Sequence, residues 1–310
     1  MEIHVRETVE RHGMTDVDLT AEKYENHREA GEILAQVREE AAERCEVGTG
    51  YLELTEFVED RIRELGGEVG FPVNISTDEE AAHGAAGPDD DREIGEEMVK
   101  LDIGVHVDGR LADTAITVDF TGTDDLVEAS EAALEAALDT AGPGVETGEI
   151  GAVIEETIDG YGYNPVVNLT GHGLGHYDQH TPPNIPNRAV SQSAELEVGD
   201  VVAIEPFATD GRGKVQEGGR EEIYALEAER SVRDRTARQA LEQITEEFRT
   251  LPFAKRWLDV RRPEMALRRL KRQDIVHGYP VLKEEEGALV SQREHTIIVT
   301  EDGCEVTTQQ

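Results

Sequence analysis

The stretch that decides the fold is MVKLDIGVHVDGRLADTAITVDF, which runs from Met98 to Phe120. It consists of two apolar, strand-like runs on either side of Asp108-Gly109, a dipeptide that is typical of tight turns between antiparallel strands. Counting outward from this turn places Asp102 and Asp113 on one face of the hairpin, as diagonal neighbours with β-carbons about 7 Å apart. The sequence therefore predicts a β-hairpin that presents two carboxylates side by side.

Two carboxylates on a largely apolar hairpin require compensation. Like charges on a buried face are costly unless something neutralises them, and one or two divalent cations would do so. Two alternatives stay open at this point. Asp102 and Asp113 could form a solvated pair in an acidic protein, and a one-residue slip of the turn would place them on opposite faces.

Further candidate ligands occur downstream of the hairpin. Glu205 shares the apolar face of a strand in VVAIEPF, Glu294 lies in the strand-like run REHTIIVT, and His172 stands between glycines in GHGLGHYDQHTPP. Four carboxylates and one neutral imidazole form a set of mostly hard donors, which suits Mn, Fe(II), Co or Zn. Because four carboxylates exceed the needs of one ion, we expect a two-metal site with bridging carboxylates.

Three histidines follow one another at intervals of four residues: His172, His176 and His180. On a helix this spacing would place all three on one face, as in a zinc site. Gly173 and Gly175 disfavour a helix here, and two prolines follow closely. We therefore expect a loop in which the three histidines have separate roles.

The rest of the chain alternates between helical and strand-like patterns. Helices are predicted over about 19–45, 51–67, 125–144 and 150–162, and residues 231–276 are helical and locally more basic. These elements indicate an α+β architecture with one helical insertion. Residues 1–13 fit neither pattern, so we expect a non-core arm there, with Met14 as a more natural start.

The charge balance is strongly acidic, with 68 acidic against 30 basic residues and a formal net charge of −38. Such a surface repels itself at low salt and is screened by concentrated salt, which predicts a halophilic protein and disfavours nucleic-acid binding by the protein as a whole. No stretch approaches ~20 consecutive apolar residues, and the N-terminus lacks the pattern of an export signal. We expect a cytoplasmic protein without membrane association, whose Cys45 and Cys304 stay reduced.

Four motifs together resemble those of the methionine aminopeptidases: KLDIGVHVDGRLADTAITV, NLTGHGLG, AIEPF and REHTI. The resemblance extends from about Leu19 to Val306, and it includes the wider pita-bread fold that prolidases share. It implies two pseudo-twofold halves, each with a helix pair and a hairpin. NLTGHGLG and the long segment between Glu205 and Glu294 resemble the type II branch, of an archaeal and halophilic kind. The implied division is a catalytic domain over 14–225 and 277–310, with a helical insertion over 226–276.

The resemblance assigns a role to each metal ligand. Asp102 would chelate one ion, while Asp113 and Glu294 would bridge two ions. His172 and Glu205 would complete the coordination of the second ion. The implied cofactor is two divalent ions per chain, of Co, Mn, Fe(II) or Zn.

The resemblance also implies the residues that act on the substrate. His180 and His83 would donate hydrogen bonds to the scissile carbonyl oxygen, and Glu205 would carry the proton from the attacking water to the leaving amine. Three further side chains are expected in the substrate pocket: Phe71, Tyr279 and the less securely aligned Ile223.

The implied activity is removal of the initiator methionine from nascent polypeptides by a metal-bridged hydroxide, with small second residues preferred. The resemblance favours a monomer. It also leaves room for transient contact with the ribosome, because Arg261-Arg262 and Arg268–Arg272 form a basic cluster in an acidic chain. The simpler interpretation of this cluster is a solvated helix face that pairs with the acidic body.

Two other functions are known for proteins that resemble this chain. An X-Pro aminopeptidase or prolidase would use the same ligands, but those enzymes usually follow the second histidine with Glu-x-Pro, whereas His180 is followed by Thr181. They also carry a sizeable domain before the catalytic one, for which the residues ahead of Asp102 leave no room. A non-catalytic homologue that binds ribosomes or RNA would have lost metal ligands, whereas all five are present here.

Overall fold

The first half of the fold places one helix pair against a three-stranded antiparallel sheet.

The computed structural model describes residues 17–309, so the predicted arm over 1–13 and the predicted start at Met14 lie outside the described residues. The helices, in chain order, are α1 (Glu22–Arg44), α2 (Tyr51–Glu64), α3 (Asp124–Thr140), α4 (Thr147–Gly160), α5 (Arg235–Gln243) and α6 (Pro263–Lys271).

The strands fall into four sheets, ordered β1-β3-β4, β11-β10-β12-β2, β13-β9-β5 and β15-β14-β8-β6-β7. Their bounds are β1 (Glu68–Thr77), β2 (Glu80–Ala82), β3 (Met98–Val107), β4 (Arg110–Asp119), β5 (Asn164–Pro165), β6 (Thr170–Gly173), β7 (Thr181–Pro186), β8 (Val201–Ile204), β9 (Phe207–Thr209), β10 (Gln216–Leu226), β11 (Phe253–Ala254), β12 (Val276–Lys283), β13 (Val290–Gln292), β14 (His295–Val299) and β15 (Cys304–Val306). The α+β fold class is therefore confirmed.

Each helix pair covers its own apolar core. In α1, Leu34, Val37 and Ala41 recur at helical spacing and are fully buried against β3 and β4. In α3, alanines at 129, 133 and 137 form a smooth buried stripe that packs against α4. The first core includes residues of β3 and β4, the second includes residues of β8 and β14, and β4 contacts β14.

The hairpin of β3 and β4 has the register that its turn predicts. Asp102 pairs with Ala115 and Asp113 pairs with Gly104, so both carboxylates lie on one face of the sheet. Asp108 and Gly109 have φ values of +46° and +74°. Two consecutive positive φ values are the geometry of the tight turns that match strand twist.

Residues 227–275 combine several kinds of structure, and the expectation that residues 231–276 are helical is wrong for 249–262. After α5 the chain makes one π-helical turn and then pairs β11 with β10, followed by a short 3-10 turn and α6. The helical turn ends at Arg249, whose φ of 57° and ψ of −115° are incompatible with a helix. Arg256 and the indole nitrogen of Trp257 then bind Glu59 on α2, which attaches this segment to the first half of the fold.

No helix within residues 17–309 combines the length with the apolar character that a bilayer crossing requires.

Gly109→Ala is expected to destabilise the protein more than Gly122→Ala. Both glycines have positive φ values, +74° and +81°, so both alanines incur backbone strain of about 1–2 kcal/mol. A β-carbon at position 109 would also collide with the ring of Tyr177, whereas a β-carbon at position 122 meets no described atom within 4 Å. Urea unfolding in molar salt measures both variants. Equal losses of unfolding free energy would contradict the packing of Tyr177 on the turn.

Candidate metal centre and active site

The five predicted ligands line one cavity of about 320 Å³. They are Asp102, Asp113, His172, Glu205 and Glu294. Three of them, Asp113, His172 and Glu294, each offer a donor atom within 4.8 Å of the others. The Nε2 atom of His172 lies 3.8 Å from Asp113 Oδ2 and 3.7 Å from Glu205 Oε1. These separations are too long for hydrogen bonds and are compatible with donors that surround an ion.

Strand register brings these distant residues together. Asp102 and Asp113 come from the β3–β4 hairpin, whereas the other three ligands come from the five-stranded sheet. In that sheet β8 is the central partner, pairing with β6 on one side and β14 on the other. His172 pairs with Ala203, and Glu205 and Glu294 directly flank the paired ends of β8 and β14.

Threonine hydroxyls join the two sheets where the carboxylates meet. The Oγ1 atom of Thr296 donates to Asp113 O at 2.8 Å and accepts from Asp113 N–H at 2.8 Å. Thr114 Oγ1 donates to Glu294 O at 2.6 Å, and Arg38 donates to Thr114 Oγ1 from the other side. Together with a main-chain hydrogen bond from Glu294 N–H to Ala115 O at 3.2 Å, these side chains connect the two sheets and fix Asp113 relative to Glu294.

The four carboxylates strongly perturb one another. Burial raises the pKa of Asp102 to about 7. Burial, followed by repulsion from neighbouring carboxylates, raises the pKa values of Asp113, Glu205 and Glu294 well above their ordinary range. A cation between them would reverse these shifts by favouring the charged forms.

The donor atoms fit a divalent metal. The Oδ1 atoms of Asp102 and Asp113 are buried and have no hydrogen-bond partner among the described residues. The Nδ1 atom of His172 lies 3.3 Å from Gly173 O, which can only accept, so the proton resides on Nδ1 and the Nε2 lone pair faces the carboxylates. Burial lowers the pKa of His172 to about 3 and keeps the imidazole neutral, as a metal ligand requires.

Two further histidines stand beside the ligands. The centroids of the His180 and His172 rings lie 4.3 Å apart in an edge-to-face arrangement. His180 is exposed at the rim of the cavity, and partial desolvation by the surrounding protein lowers its pKa. His83 has a positive φ of 64°, and its ring packs edge-to-face on Tyr279 at 5.4 Å. Burial lowers the pKa of His83 to about 4, so this imidazole is neutral too.

The hydrogen bond that His83 makes bears on its predicted role. Its Nδ1 atom lies 3.1 Å from the Pro280 carbonyl oxygen, so Nδ1–H donates there and the neutral ring leaves Nε2 as an acceptor. In this tautomer Nε2 can accept from an N–H group of a substrate. Donation from His83 to a scissile carbonyl would require a proton on Nε2 as well, and that role stays a prediction.

All three predicted pocket residues line the same cavity: Phe71, Ile223 and Tyr279.

The sequence analysis missed Pro252, which lines the cavity from the segment after α5. It also missed Gln179, whose Nε2 donates to Asp113 Oδ2 at 3.3 Å. It also missed Gln292, which donates to Glu294 Oε2 at 3.3 Å. Gln292 could have been predicted from its spacing, because a residue two positions from Glu294 in an extended segment lies on the same face. His176 lies outside the cavity wall, 3.1 Å from Asp108 O.

Comparison with known proteins decides the family. The family model for metallopeptidase family M24 matches residues 25–301. The chain belongs to metallopeptidase family M24. Membership in a metallopeptidase family, together with the donor set in the cavity, indicates that this M24 protein uses a divalent metal.

Named relatives are similar to this M24 chain over most of their length. A methionine aminopeptidase of Archaeoglobus fulgidus is 50% identical over 91% of this chain and 97% of its own length. One of Methanocaldococcus jannaschii is 48% identical over 93% of this chain and 99% of its own length. The predicted resemblance to the methionine aminopeptidases is confirmed.

Solved structures agree on the fold. A thermophilic Arx1 superposes with a TM-score of 0.84 at 19% identity, covering 94% of this chain and 91% of that chain. Methionine aminopeptidase from Thermotoga maritima gives 0.68 at 22% identity, with 92% and 96% covered. Prolidase from Pyrococcus furiosus gives 0.61 at 20% identity and covers 94% of this chain but 65% of the prolidase chain. The predicted pita-bread fold is confirmed.

Asp102 is expected to lower the stability of the metal-free protein as the pH rises from about 4 to about 7, and comparison with Asp102→Asn isolates this contribution. The pKa of Asp102 is raised by burial from 3.8 to about 7 in the folded state. The folded state therefore binds this proton more tightly than the unfolded state in that window, and deprotonation favours unfolding. Thermal unfolding of chelated protein should show the stability of the wild type falling relative to that of Asp102→Asn across this range, because buried histidines such as His83 and His172 titrate in both proteins alike.

The matched control for this pH series is Asp302→Asn, which changes the same charge on an exposed loop and should follow the wild type. We expect the stability difference between wild type and Asp102→Asn to change by about 1 kcal/mol or more across the window, since one pKa unit corresponds to about 1.4 kcal/mol. Parallel curves for the two proteins would contradict the desolvation of Asp102.

Proposed function

We propose that this chain is a methionine aminopeptidase that removes the initiator methionine from nascent polypeptides. The observation that supports this most is the convergence of four carboxylates and one neutral imidazole beside an apolar pocket in a single cavity. Identity of about 50% to archaeal methionine aminopeptidases supports the same conclusion.

We propose that two divalent ions are held, with Asp113 and Glu294 as ligands of both. Asp102 would bind one ion, and His172 Nε2 with Glu205 would bind the other. When bound, such ions neutralise the carboxylates and lower the pKa of a coordinated water. The donor set is compatible with Mn, Fe(II), Co or Zn, and it contains no thiolate to favour a softer metal.

The protein's own groups orient the substrate. The apolar walls supplied by Phe71, Ile223 and Pro252 offer a place for the methionine side chain, next to the carboxylates that would hold the ions. His180 at the cavity wall would donate a hydrogen bond to the scissile carbonyl oxygen as charge develops there. His83 Nε2 would accept from a substrate N–H, as its tautomer requires.

Proton transfer is assigned to Glu205. Glu205 lines the same cavity as the other donors, with Oε1 3.7 Å from His172 Nε2, so its carboxylate faces the space in which a substrate would react. Glu205 would take a proton from the attacking water at Oε1 and release it to the leaving amine. The cavity of about 320 Å³ favours small second residues, because a large side chain would crowd the reacting bond.

The activity test compares two peptide series in molar salt with added Mn²⁺ or Co²⁺. We expect release of methionine from Met-Ala and Met-Gly peptides, slower release when the second residue is large, and no cleavage of X-Pro peptides. Cleavage of X-Pro peptides with Met-Ala peptides intact would support the prolidase alternative. A protein that binds metal but cleaves neither series would support the non-catalytic alternative.

Asp113→Ala and His180→Ala should separate metal binding from catalysis. We expect Asp113→Ala to lose metal and activity together, because Asp113 contributes to the donor set directly. We expect His180→Ala to lower kcat by about 100-fold or more while metal content stays near the wild-type level. Elemental analysis and peptide kinetics on the same samples provide both readouts. Metal loss in His180→Ala would instead make this histidine a ligand.

The setting of the enzyme is also proposed from its composition. The net charge of −38 supports function in a high-salt cytoplasm, and we propose a monomer. We further propose that residues 14–225 and 277–310 form the catalytic domain and that 226–276 are an insertion. The insertion has its own apolar cluster around Ile244, Phe253 and Leu267, which supports treating it as a subdomain.

A transient ribosome contact through the insertion is a further proposal. Arg261, Arg262, Arg268 and Arg272 are exposed and form no ion pair within residues 17–309. Their neighbours Arg269 and Lys271 do pair, with Asp234 and Glu221. Unpaired arginines on an acidic protein favour a polyanion such as ribosomal RNA.

Replacing these four arginines with glutamine should weaken co-sedimentation with ribosomes by about tenfold or more, with a steep salt dependence. Arg212→Gln, which removes an exposed charge on the catalytic body, is the matched control. If the fourfold variant co-sediments with ribosomes as the wild type does, the ribosome contact is refuted and the arginines form a solvated helix face.

A further inference from the structure

We infer that Tyr177 is a positioning residue through which the segment Arg249–Pro252 holds the loop that carries His180. Four contacts, from two separate parts of the chain, converge on this tyrosine. The inference rests on the proposed catalytic role of His180, and it adds a function for the segment that follows α5. That function is to complete the active-site wall and fix its catalytic loop.

The loop in question connects β6 to β7 and spans residues 174–180. It is irregular, and its one internal main-chain hydrogen bond among those described runs from Gly175 N–H to Asp178 O at 2.7 Å. Its last two residues reach the active site, since Gln179 donates to Asp113 Oδ2 and His180 packs on His172. A shift of this loop would therefore move both groups relative to the ligands.

One set of contacts comes from the β3–β4 turn. The main-chain N–H of Tyr177 donates to Gly109 O at 2.8 Å, and the Tyr177 ring packs on His106 with centroids 5.4 Å apart. His176 adds a hydrogen bond from Nε2 to Asp108 O at 3.1 Å. The turn that fixes the register of the two aspartates thus also holds the loop that carries His180.

The second set comes from the segment after α5. The Arg249 guanidinium lies 4.0 Å from the centroid of the Tyr177 ring, within range of a cation–π interaction. Thr250 Oγ1 donates to Tyr177 O. Leu251 is buried beside Leu174, which begins the loop, and the next residue, Pro252, lines the active-site cavity. Four consecutive residues of the insertion, Arg249–Pro252, therefore contact the loop or line the pocket.

Backbone strain on both sides requires such contacts. Tyr177 has a φ of 53° and Arg249 has a φ of 57°, and positive φ values are uncommon for both residue types. Sparsely populated backbone of this kind costs about 1–3 kcal/mol per residue, so the two conformations persist because the surrounding contacts favour them. Without the Tyr177 ring, only the main-chain hydrogen bonds of residue 177 would hold the loop in its strained conformation.

The test compares four variants with Met-Ala-Ser as substrate in molar salt. We expect Tyr177→Ala to lower kcat by about 10- to 100-fold, since displacement of a catalytic group by about 1 Å can cost that much, with little change in KM. Tyr177→Phe should restore kcat to near wild type, because the Tyr177 hydroxyl has no hydrogen-bond partner among the described residues. Arg249→Ala should give a smaller loss of kcat than Tyr177→Ala.

The matched control is Arg238→Ala, which removes a cation from α5 where it faces Glu242 and not the loop, and it should leave kcat unchanged. Metal content and thermal unfolding are measured on every variant. Wild-type kcat in both Tyr177→Ala and Arg249→Ala would overturn the inference, as would metal loss parallel to the kcat loss. If Tyr177→Ala does not fold, Arg249→Ala decides, because Arg249 is exposed.

The outcome for His180→Ala separates this inference from the proposed function. Should His180→Ala retain full kcat, the proposed role of that histidine fails, whatever Tyr177 does. Should His180→Ala lose kcat while Tyr177→Ala and Arg249→Ala keep it, the function stands and only the positioning role is refuted.

Discussion

Mutual repulsion among four buried carboxylates is the constraint on which the rest of the structure depends. Asp102, Asp113, Glu205 and Glu294 face one cavity, and burial raises the pKa of every one of them. A fold that holds these groups together without a cation sacrifices stability, because each must either lose its charge or remain poorly solvated. The arrangement is therefore reasonable only as a site for metal ions, which agrees with membership in metallopeptidase family M24.

The scaffold around the site resists this repulsion by fixing the main chain on both sides. Strand pairing places Glu205 and Glu294 beside each other, and the hydroxyls of Thr114 and Thr296 connect the hairpin to the second sheet. A main-chain group also orients His172, because its Nδ1–H donates to the carbonyl oxygen of Gly173. Rigid donors lower the cost of assembling the site when metal binds.

Sequence reasoning succeeded where local chemistry decides the structure. The Asp108-Gly109 turn alone was enough for the register of Asp102 and Asp113, because a two-residue turn fixes every pair beyond it. Contacts between His172, Glu205 and Glu294 depend on pairing among β6, β8 and β14, which no local pattern encodes. Donor chemistry named these residues as candidate ligands, and the family resemblance assigned each its place. The path of residues 249–262 was mispredicted because contacts with Tyr177 and Glu59 outweigh helix propensity there.

The most direct measurement is anomalous diffraction at the Mn edge from crystals of this protein grown with Mn²⁺. The account predicts two anomalous peaks in the cavity, both within coordination distance of Asp113 and Glu294, with His172 Nε2 contacting one of them. Binding should leave the Thr114 and Thr296 hydrogen bonds in place, because the donors are already positioned. The absence of any peak between these carboxylates would contradict the central claim that their repulsion is resolved by metal, and a single peak would contradict the proposed pair of ions.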